Sequence, residues 1–365
     1  MTCASKKSVR GILLELDDFG QTTDSSGNTV TIKRFTWTNS NKVSVQLITY
    51  GGYITSVKIP DSQGNVEDVV IGFDTLEGYL STNNTYFGAT IGRCANRIKR
   101  GLMTIEGVSY QLATNDGLNH LHGGIKGFDK VIWDYYVAGT KVVLSYHGAD
   151  LEEGYPGDVV VNVTFELTGN NELVIDYKAT TNKPTCVNLT NHSYFNLAGH
   201  DKGATELYKH VVSINADKIT EVESDGIPTG ELPDVSGTIF DLRIPTVLGD
   251  VIQKVPDSPG YDHNFCVTKG TEEGNTFVAK VTHPDSGRTI EVYSNQPGVQ
   301  FYTGNFLPED DSLVGKGGSI YRKHGTFCLE TQIYPDAINN PQFGKSVLYP
   351  GELYHHTATF KFLVS

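Results

Sequence analysis

The fold is decided by one stretch, residues 161–177, which reads VNVTFELTGNNELVIDY. Apolar and polar residues alternate along 161–167, which is the pattern of a strand with one buried and one solvated face. The turn sequence Gly169-Asn170-Asn171 follows, and residues 173–177 form a second strand-like run. Two such runs joined by a short turn predict a β-hairpin over residues 159–178.

Similar runs occur on both sides of this hairpin, separated by segments rich in glycine, proline and asparagine. They lie at 43–49, 141–146, 209–214, 277–282, 289–293, 299–302 and 356–363. The nearest approach to a helical apolar stripe, around Thr75–Leu80, would make only one or two turns. We therefore expect an all-β protein with very little helix.

Many short strands must stack two sheets or close a barrel to bury their apolar faces. The composition, with 39 Gly and 14 Pro among 365 residues, suits strands joined by turns and excludes a helical bundle. Composition does not shift sharply along the chain, and no repeat of 20–50 residues stands out. We predict one large antiparallel β-sandwich over residues 1–365, with 1–25 as a candidate peripheral N-terminal segment.

Charge and composition limit the possible partners and the compartment. The net charge of −13 gives no electrostatic reason to bind nucleic acid or an anionic membrane. No apolar stretch approaches the roughly 18 residues that a spanning helix needs. The five cysteines are odd in number and form no C-x-x-C pair, which indicates reduced thiols and a cytoplasmic protein. Monomer and weak dimer both stay open.

Polar and histidine-containing segments are concentrated in a few places. They lie at 92–98, 119–124, 188–196, 261–265, 296–301 and 327–332. Their Asn, Arg, His, Asp and Gln side chains can bind vicinal hydroxyls, and the neighbouring aromatic rings can cover the C–H patches of a sugar. Carbohydrate is therefore the ligand class that this chemistry favours.

A metal site is a weaker alternative. His120 and His122 would lie on one side of a strand, and with Glu330 they could bind a divalent ion. No third histidine at ligand spacing accompanies them, so we predict no metal. The glycines at 123–127 lack the pattern of a phosphate loop, and no G-x-S-x-G motif of a serine hydrolase is present.

At these segments the sequence resembles the aldose 1-epimerase (galactose mutarotase) family. The matching blocks, in family order, are 87–93, 95–98, 121–124, 153–157, 188–199 (NLTNHSYFNLAG), 262–265, 296–305 (QPGVQFYTGN) and 328–332. The resemblance implies a β-sandwich of the galactose mutarotase type, or supersandwich. It also implies an isomerase that interconverts the α and β anomers of free aldohexoses, such as galactose and glucose, without a cofactor.

The resemblance further implies individual roles. Glu330 corresponds to the general base and His192 to the general acid. The substrate contacts that it implies are Asn96, Arg97, His122, Asp262 and Gln300. His122 is implied to lie close enough to the ring oxygen to share in catalysis, whereas Arg93 is expected to be structural.

The implied chemistry sets conditions on the pair. A glutamate is ionised at neutral pH, whereas a histidine is mostly neutral and must be kept protonated to act as an acid. We expect Glu330 and Asp262 to favour the imidazolium of His192, and Glu330 and His192 to lie on opposite sides of one pyranose. A bell-shaped pH dependence follows.

Other functions stay open at this point. A non-catalytic sugar-binding module needs the polar contacts but no acid and base. A glycoside hydrolase could use Glu330 and Asp262 as its two carboxylates. An epimerase of hexose 6-phosphates should need a cluster of Arg or Lys, which the motifs lack. Cys94 and Cys328 are expected to be small core residues.

Overall fold

A computed structural model describes residues 5–81, 85–270 and 274–364 of the chain. Its N-terminal part is a six-stranded antiparallel sheet in sequence order. The strands are Ser5–Val9, Ile12–Thr23, Thr29–Asn39, Ser44–Ile48, Ile54–Pro60 and Val66–Asp68. The edge strand 5–9 is exposed, whereas Ile12 and Leu14 of the next strand are buried in the main core. Part of the N-terminal segment is thus built into the sandwich, and residues 1–4 lie outside the described residues.

A second, nine-stranded sheet is antiparallel throughout. Its strands, in spatial order, are Asp134–Ala138, Lys141–Gly148, Val159–Leu167, Glu172–Thr181, Tyr354–Val364, Arg288–Ser294, Thr276–Thr282, Val211–Ile214 and Thr246–Val247. The C-terminal strand 354–364 lies at its centre, between the hairpin and strand 288–294. Strands that are far apart in the sequence therefore lie side by side in this sheet.

The predicted hairpin is confirmed within this sheet. Strands Val159–Leu167 and Glu172–Thr181 pair in antiparallel register, with Phe165 opposite Ile175. Every second residue of the first strand, from Val159 to Leu167, is buried, whereas the alternate residues are more exposed: Val160 is exposed, and Asn162, Thr164 and Glu166 are partly buried. The alternation in sequence has become an inner and an outer face.

A four-stranded sheet completes the frame of the molecule. Its strands, in order, are Ala216–Ile219, Asp262–Val267, Gly298–Tyr302 and Cys328–Gln332. Four further pairs of short strands join Thr90–Ile91 to Thr190–Asn191, Arg97–Ile98 to His120–Leu121, Leu102–Ile105 to Val108–Gln111, and Thr185–Cys186 to Val347–Leu348. These small pairs connect the polar segments of the sequence to one another.

Helices are few and short. The α-helices are Leu76–Leu80, Gly203–Leu207 and Leu248–Val251, and the 3₁₀ turns are Lys99–Gly101, Phe128–Lys130, Glu152–Gly154, Ile252–Lys254, Lys316–Gly318 and Pro341–Phe343. The chain is about 9% helical and 45% strand, which confirms the all-β expectation. In the described ranges, no helix is both long enough and apolar enough to cross a membrane.

One main core binds the three large sheets together. It contains Trp37 from the N-terminal sheet, Phe165 and Tyr177 from the hairpin, and Phe265 and Phe301 from the four-stranded sheet. All five are fully or almost fully buried. Because the four-stranded sheet packs one face on this core, its other face is available for polar side chains.

Candidate active site

Three strands of the four-stranded sheet place polar side chains on that other face. Gln300 lies opposite Asn264 on one side and opposite Glu330 on the other. Side chains alternate along a strand, so the next residue, Phe301, points to the core instead. The Gln300 Nε2 donates a hydrogen bond to Asp262 Oδ1 at 2.8 Å. The sheet thus holds the partly buried carboxylate of Asp262 beside the fixed amide of Gln300.

Asn96 and His122 reach the site through left-handed backbone conformations, with φ of 63° and 49°. The His122 N–H donates to Asn96 O, and the Asn96 N–H donates to His122 Nδ1, each at 3.1 Å. Because Nδ1 is an acceptor, the proton of the neutral ring sits on Nε2. His122 is therefore held as a neutral N–H donor.

His192 follows the two-residue strand Thr190–Asn191 and lies in a stack of aromatic rings. Its ring is parallel to that of Tyr194, with centroids 4.8 Å apart, and to that of Tyr86 at 5.9 Å. It also meets the ring of His122 edge to face, at 5.2 Å. The backbone N–H of His192 donates to Ala89 O at 2.9 Å. Ring and backbone are both fixed.

The two predicted catalytic groups are neighbours. His192 Nε2 and Glu330 Oε1 are 3.5 Å apart, and both side chains are buried. The expectation that they lie on opposite sides of a pyranose is wrong, because no sugar ring fits into that space. The strands bring both groups to the same edge of one cavity.

Burial also changes the protonation of this pair. Desolvation raises the pKa of Glu330 well above its usual range, and the charge of Asp262 adds to the rise. Desolvation lowers the pKa of His192 to about 3. The expected ionised glutamate and protonated histidine are thus disfavoured in the free site, because the loss of hydration outweighs the attraction of nearby carboxylates.

All seven residues predicted for the site line one cavity of about 240 Å³. They are Asn96, Arg97, His122, His192, Asp262, Gln300 and Glu330. Seven further residues complete the lining and were not predicted: Thr85, Tyr86, Asp116, Leu121, Tyr194, Tyr302 and Phe306. Leu121, Tyr194 and Tyr302 lie inside matched blocks and Tyr86 adjoins one, so the blocks are the signal that could have found them, whereas Asp116 lies in a loop without any motif.

The cavity contains one group of possible metal ligands, His122, His192 and Glu330, whose ligand atoms lie within 4.8 Å of one another. His120 is absent from it, since its ring contacts Ala113 O and the Tyr155 hydroxyl. The expectation that His120 and His122 lie on one side of a strand is wrong. The strand ends at Leu121, and His122 has a left-handed backbone conformation.

The chemistry of His122 does not fit a metal ligand. A histidine that binds a metal through one nitrogen normally donates its other N–H to an acceptor. Here Nδ1 of His122 accepts the Asn96 N–H, so Nε2 carries the proton of the neutral ring. The arrangement suits a hydroxyl or ether oxygen better than an ion.

Residues that were expected to be structural lie beside the site. The buried Arg93 donates to Pro156 O at 3.1 Å and to Gly157 O at 2.9 Å. Cys94 and Cys328 are buried, and burial raises the pKa of both thiols. These contacts agree with the structural roles predicted for them.

Comparison with known proteins identifies the family. The family model described as aldose 1-epimerase matches residues 33–361. The chain belongs to the aldose 1-epimerase family. Galactose mutarotase of Bos taurus is 52% identical over 326 residues, which are 89% of this chain and 93% of the bovine protein. Galactose mutarotase of Homo sapiens is 49% identical over 347 residues, covering 95% and 98% of the two chains.

Solved structures of aldose epimerases share the fold. The crystal structure of the aldose epimerase homologue from C. elegans has a TM-score of 0.82 and 28% identity, and the match covers 89% of this chain and 97% of that chain. The expectations of family, enzyme class and sandwich fold are therefore confirmed. This aldose 1-epimerase family member is an isomerase.

Proposed function

We propose that this family member interconverts the α and β anomers of free aldohexoses, such as galactose and glucose, by opening and reclosing the ring. Glu330 acts as general base on the C1 hydroxyl, and His192 acts as general acid on the ring oxygen. Hydroxyl and ring oxygens are bound by Asn96, Arg97, His122, Asp262 and Gln300. The reaction uses no cofactor.

The observation that best supports this proposal is the 3.5 Å separation of His192 Nε2 and Glu330 Oε1 in one cavity. Ring opening removes a proton from the C1 hydroxyl and adds one to the ring oxygen. Both oxygens are bonded to C1, so they are neighbours at one edge of the pyranose. An acid and a base that lie side by side match that edge.

One shared proton is enough for the pair. The neutral pair and the ion pair of Glu330 and His192 contain the same number of protons, and burial favours the neutral pair in the free site. A C1 hydroxyl that donates to Glu330 and a ring oxygen that accepts from His192 both stabilise the ion pair. Bound sugar thus promotes the form that reacts.

The catalytic steps then balance. Glu330 takes the C1 hydroxyl proton while His192 gives its proton to the ring oxygen, and the C1–ring oxygen bond breaks to leave an open-chain aldehyde. After rotation about C1–C2, the reverse transfers close the ring on the other face. Each positioned proton transfer contributes about 10²–10⁴-fold, so the pair supplies roughly 5–11 kcal/mol.

His122 contributes as a neutral donor in this scheme. Its Nε2–H can bind the ring oxygen or a hydroxyl, but a second proton on Nδ1 would face the Asn96 N–H. Desolvation and the charges of His192 and Arg97 lower the pKa of His122 well below its usual value. The hydrogen bond at Nδ1 supports a binding role for His122 in this proposal, with proton transfer to the ring oxygen assigned to His192.

A phosphorylated substrate fits this cavity poorly. Among the described residues that line it, Arg97 is the single Lys or Arg, and its Nε already donates to Asp116 Oδ2 at 2.8 Å. A phosphate group normally requires several charge-assisted donors. The free sugar is the better match.

Polarimetry tests the proposal directly. The purified enzyme should accelerate the change in optical rotation of freshly dissolved α-D-galactose, and of α-D-glucose, in proportion to enzyme concentration. A chain that binds galactose without accelerating this change would be a sugar-binding module. Release of a chromophore from an aryl galactoside would instead indicate a glycoside hydrolase. Either result contradicts the proposal.

We also propose a cytoplasmic location and a monomer or weak dimer, with the sugar as the only partner and no nucleic acid or membrane. The four described cysteines are free and buried, which suits a reducing compartment. Cell fractionation and light scattering over a range of concentrations test these two points.

A further inference from the structure

Arg97 is the long, flexible member of the predicted sugar contacts, and it is held from two directions. From one side, Asp116 Oδ2 accepts a hydrogen bond from Arg97 Nε at 2.8 Å. This ion pair uses one of the five N–H donors of the guanidinium and leaves four on a residue that lines the cavity. The Arg97 side chain is 16% exposed.

From the other side, a tight turn over residues 223–227 lies against the guanidinium. Its Glu223 N–H donates to Ile227 O at 2.8 Å, and its Gly226 N–H donates to Glu223 O at 2.9 Å. A Cβ built on Gly226 would lie 3.0 Å from Arg97 Nη1, 3.1 Å from Cζ and 3.2 Å from Nε. The turn therefore lies so close to the Arg97 head group that a side chain at position 226 would displace it.

Asn119 links the two sides. Its Nδ2 donates to Asp225 Oδ2 in the turn at 2.9 Å. Its backbone exchanges hydrogen bonds with Asp116, at 2.9 Å and 3.0 Å. The turn and the carboxylate that binds Arg97 are thus connected through Asn119.

We propose that the turn 223–227 is part of the sugar-binding machinery, with Gly226 as a positioning residue that fixes the Arg97 guanidinium before the aldohexose arrives. Fixing a rotamer-rich side chain in advance removes part of the ordering cost of binding. The inference rests on the proposed function and adds the element that sets sugar affinity.

Gly226→Ala tests this inference against the matched variant Gly237→Ala. Both glycines have left-handed φ, of +78° and +73°, so both substitutions add similar backbone strain, but a Cβ at Gly237 meets nothing within 4 Å. In Gly226→Ala, KM for galactose should rise about tenfold with kcat changed less than about threefold, as expected for lost ground-state binding. Gly237→Ala should keep both constants.

Two further variants separate this inference from a general loss of structure. Asp225→Ala removes the link to Asn119 without adding an atom near Arg97, and it should also raise KM. In an Arg97→Ala background, Gly226→Ala should raise KM no further, because both changes act through one side chain. Equal constants for Gly226→Ala and Gly237→Ala, or an additive effect in that background, would overturn the inference.

These outcomes are distinct from failure of the proposed function. If the wild type accelerates mutarotation and the two glycine variants behave alike, the function stands and the role of the turn is wrong. If the wild type does not accelerate mutarotation, the function is wrong, and calorimetric titration with galactose tests the turn instead. There, equal affinities of the two variants would again overturn the inference.

Discussion

The hairpin 159–181 and the strand pair formed by Gly298–Tyr302 and Cys328–Gln332 are built from the same antiparallel ladder, but they differ on their second face. The hairpin buries one face, and most of its other face is partly buried or exposed. Every residue of the second pair is buried. The polar residues Gln300 and Glu330 therefore lie away from bulk solvent.

This difference decides how polar groups are satisfied. On the hairpin, Glu166 pairs with Lys141 at 2.7 Å, in partly exposed surroundings. On the second pair, Gln300 Oε1 and both polar atoms of Gln332 are buried without a hydrogen-bond partner. A buried polar group without a partner costs free energy that folding alone does not return. Gln300 lines the cavity, where a ligand can satisfy its Oε1, whereas Gln332 lies outside it.

The largest expected effect is a loss of activity on substitution in the second strand pair, with no such loss in the hairpin. Glu330→Gln should reduce mutarotation by on the order of 10³-fold, because an amide cannot accept the C1 hydroxyl proton. The substitution keeps the shape of the side chain, so the free energy of unfolding should change by less than about 1 kcal/mol. Polarimetry and chemical denaturation measure the two quantities.

Glu166→Gln is the matched control, since it makes the same chemical change on the hairpin. It should leave both mutarotation and stability close to wild type. If Glu330→Gln retained more than a tenth of the activity, Glu330 would not be the base.

The second prediction is the converse of the first, namely a loss of stability without a loss of activity. Phe165→Ala removes a fully buried side chain of the hairpin and should lower the free energy of unfolding by about 3–5 kcal/mol. Below its melting temperature the variant should keep kcat within about twofold, because the hairpin does not line the cavity. A large loss of kcat without a loss of stability would contradict this division.

The same contrast explains how much the sequence could predict. The hairpin and the other strand runs were found because one partly solvated face leaves a period of two in the sequence. The sequence predicts residues 299–302 as a strand, but periodicity does not show that their polar face lines a cavity. The role of Gln300 came from the resemblance to a family.

Local geometry limited the rest of the site prediction. Asn96 and His122 reach the cavity through positive φ values, which spacing in the sequence does not reveal. That conformation also placed His120 and His122 apart, against expectation. Asp116 and Gly226 lie against Arg97 from separate loops, and no motif marks either residue.

The third effect is a pH dependence of opposite sign in two forms of the enzyme. The wild type needs one proton on the pair, and burial raises the pKa of Glu330 while lowering that of His192 to about 3. The pair therefore loses its last proton as pH rises through the raised pKa of Glu330. Above it, kcat/KM should fall about tenfold per pH unit.

The variant His192→Asn tests which group sets the fall in kcat/KM at high pH. Without the imidazole, Glu330 acts only when ionised, so the residual kcat/KM should rise with pH through the same raised pKa. Polarimetric rates measured from about pH 5 to about pH 9, with the spontaneous rate subtracted, give both profiles. Profiles of the same sign would mean that the two residues do not share a proton.

The smallest effect compares two amides on the same face of one sheet. Gln300 lines the cavity and donates to Asp262, whereas Gln332 is buried outside the cavity. Gln300→Ala should raise KM for galactose about tenfold, with little change in kcat, since it removes a contact made equally before and during reaction. Gln332→Ala removes an amide of the same size and should change stability without changing KM. Equal rises in KM would show that both substitutions act by disturbing the sheet, and the distinction between an amide that lines the cavity and one that lies outside it would then fail.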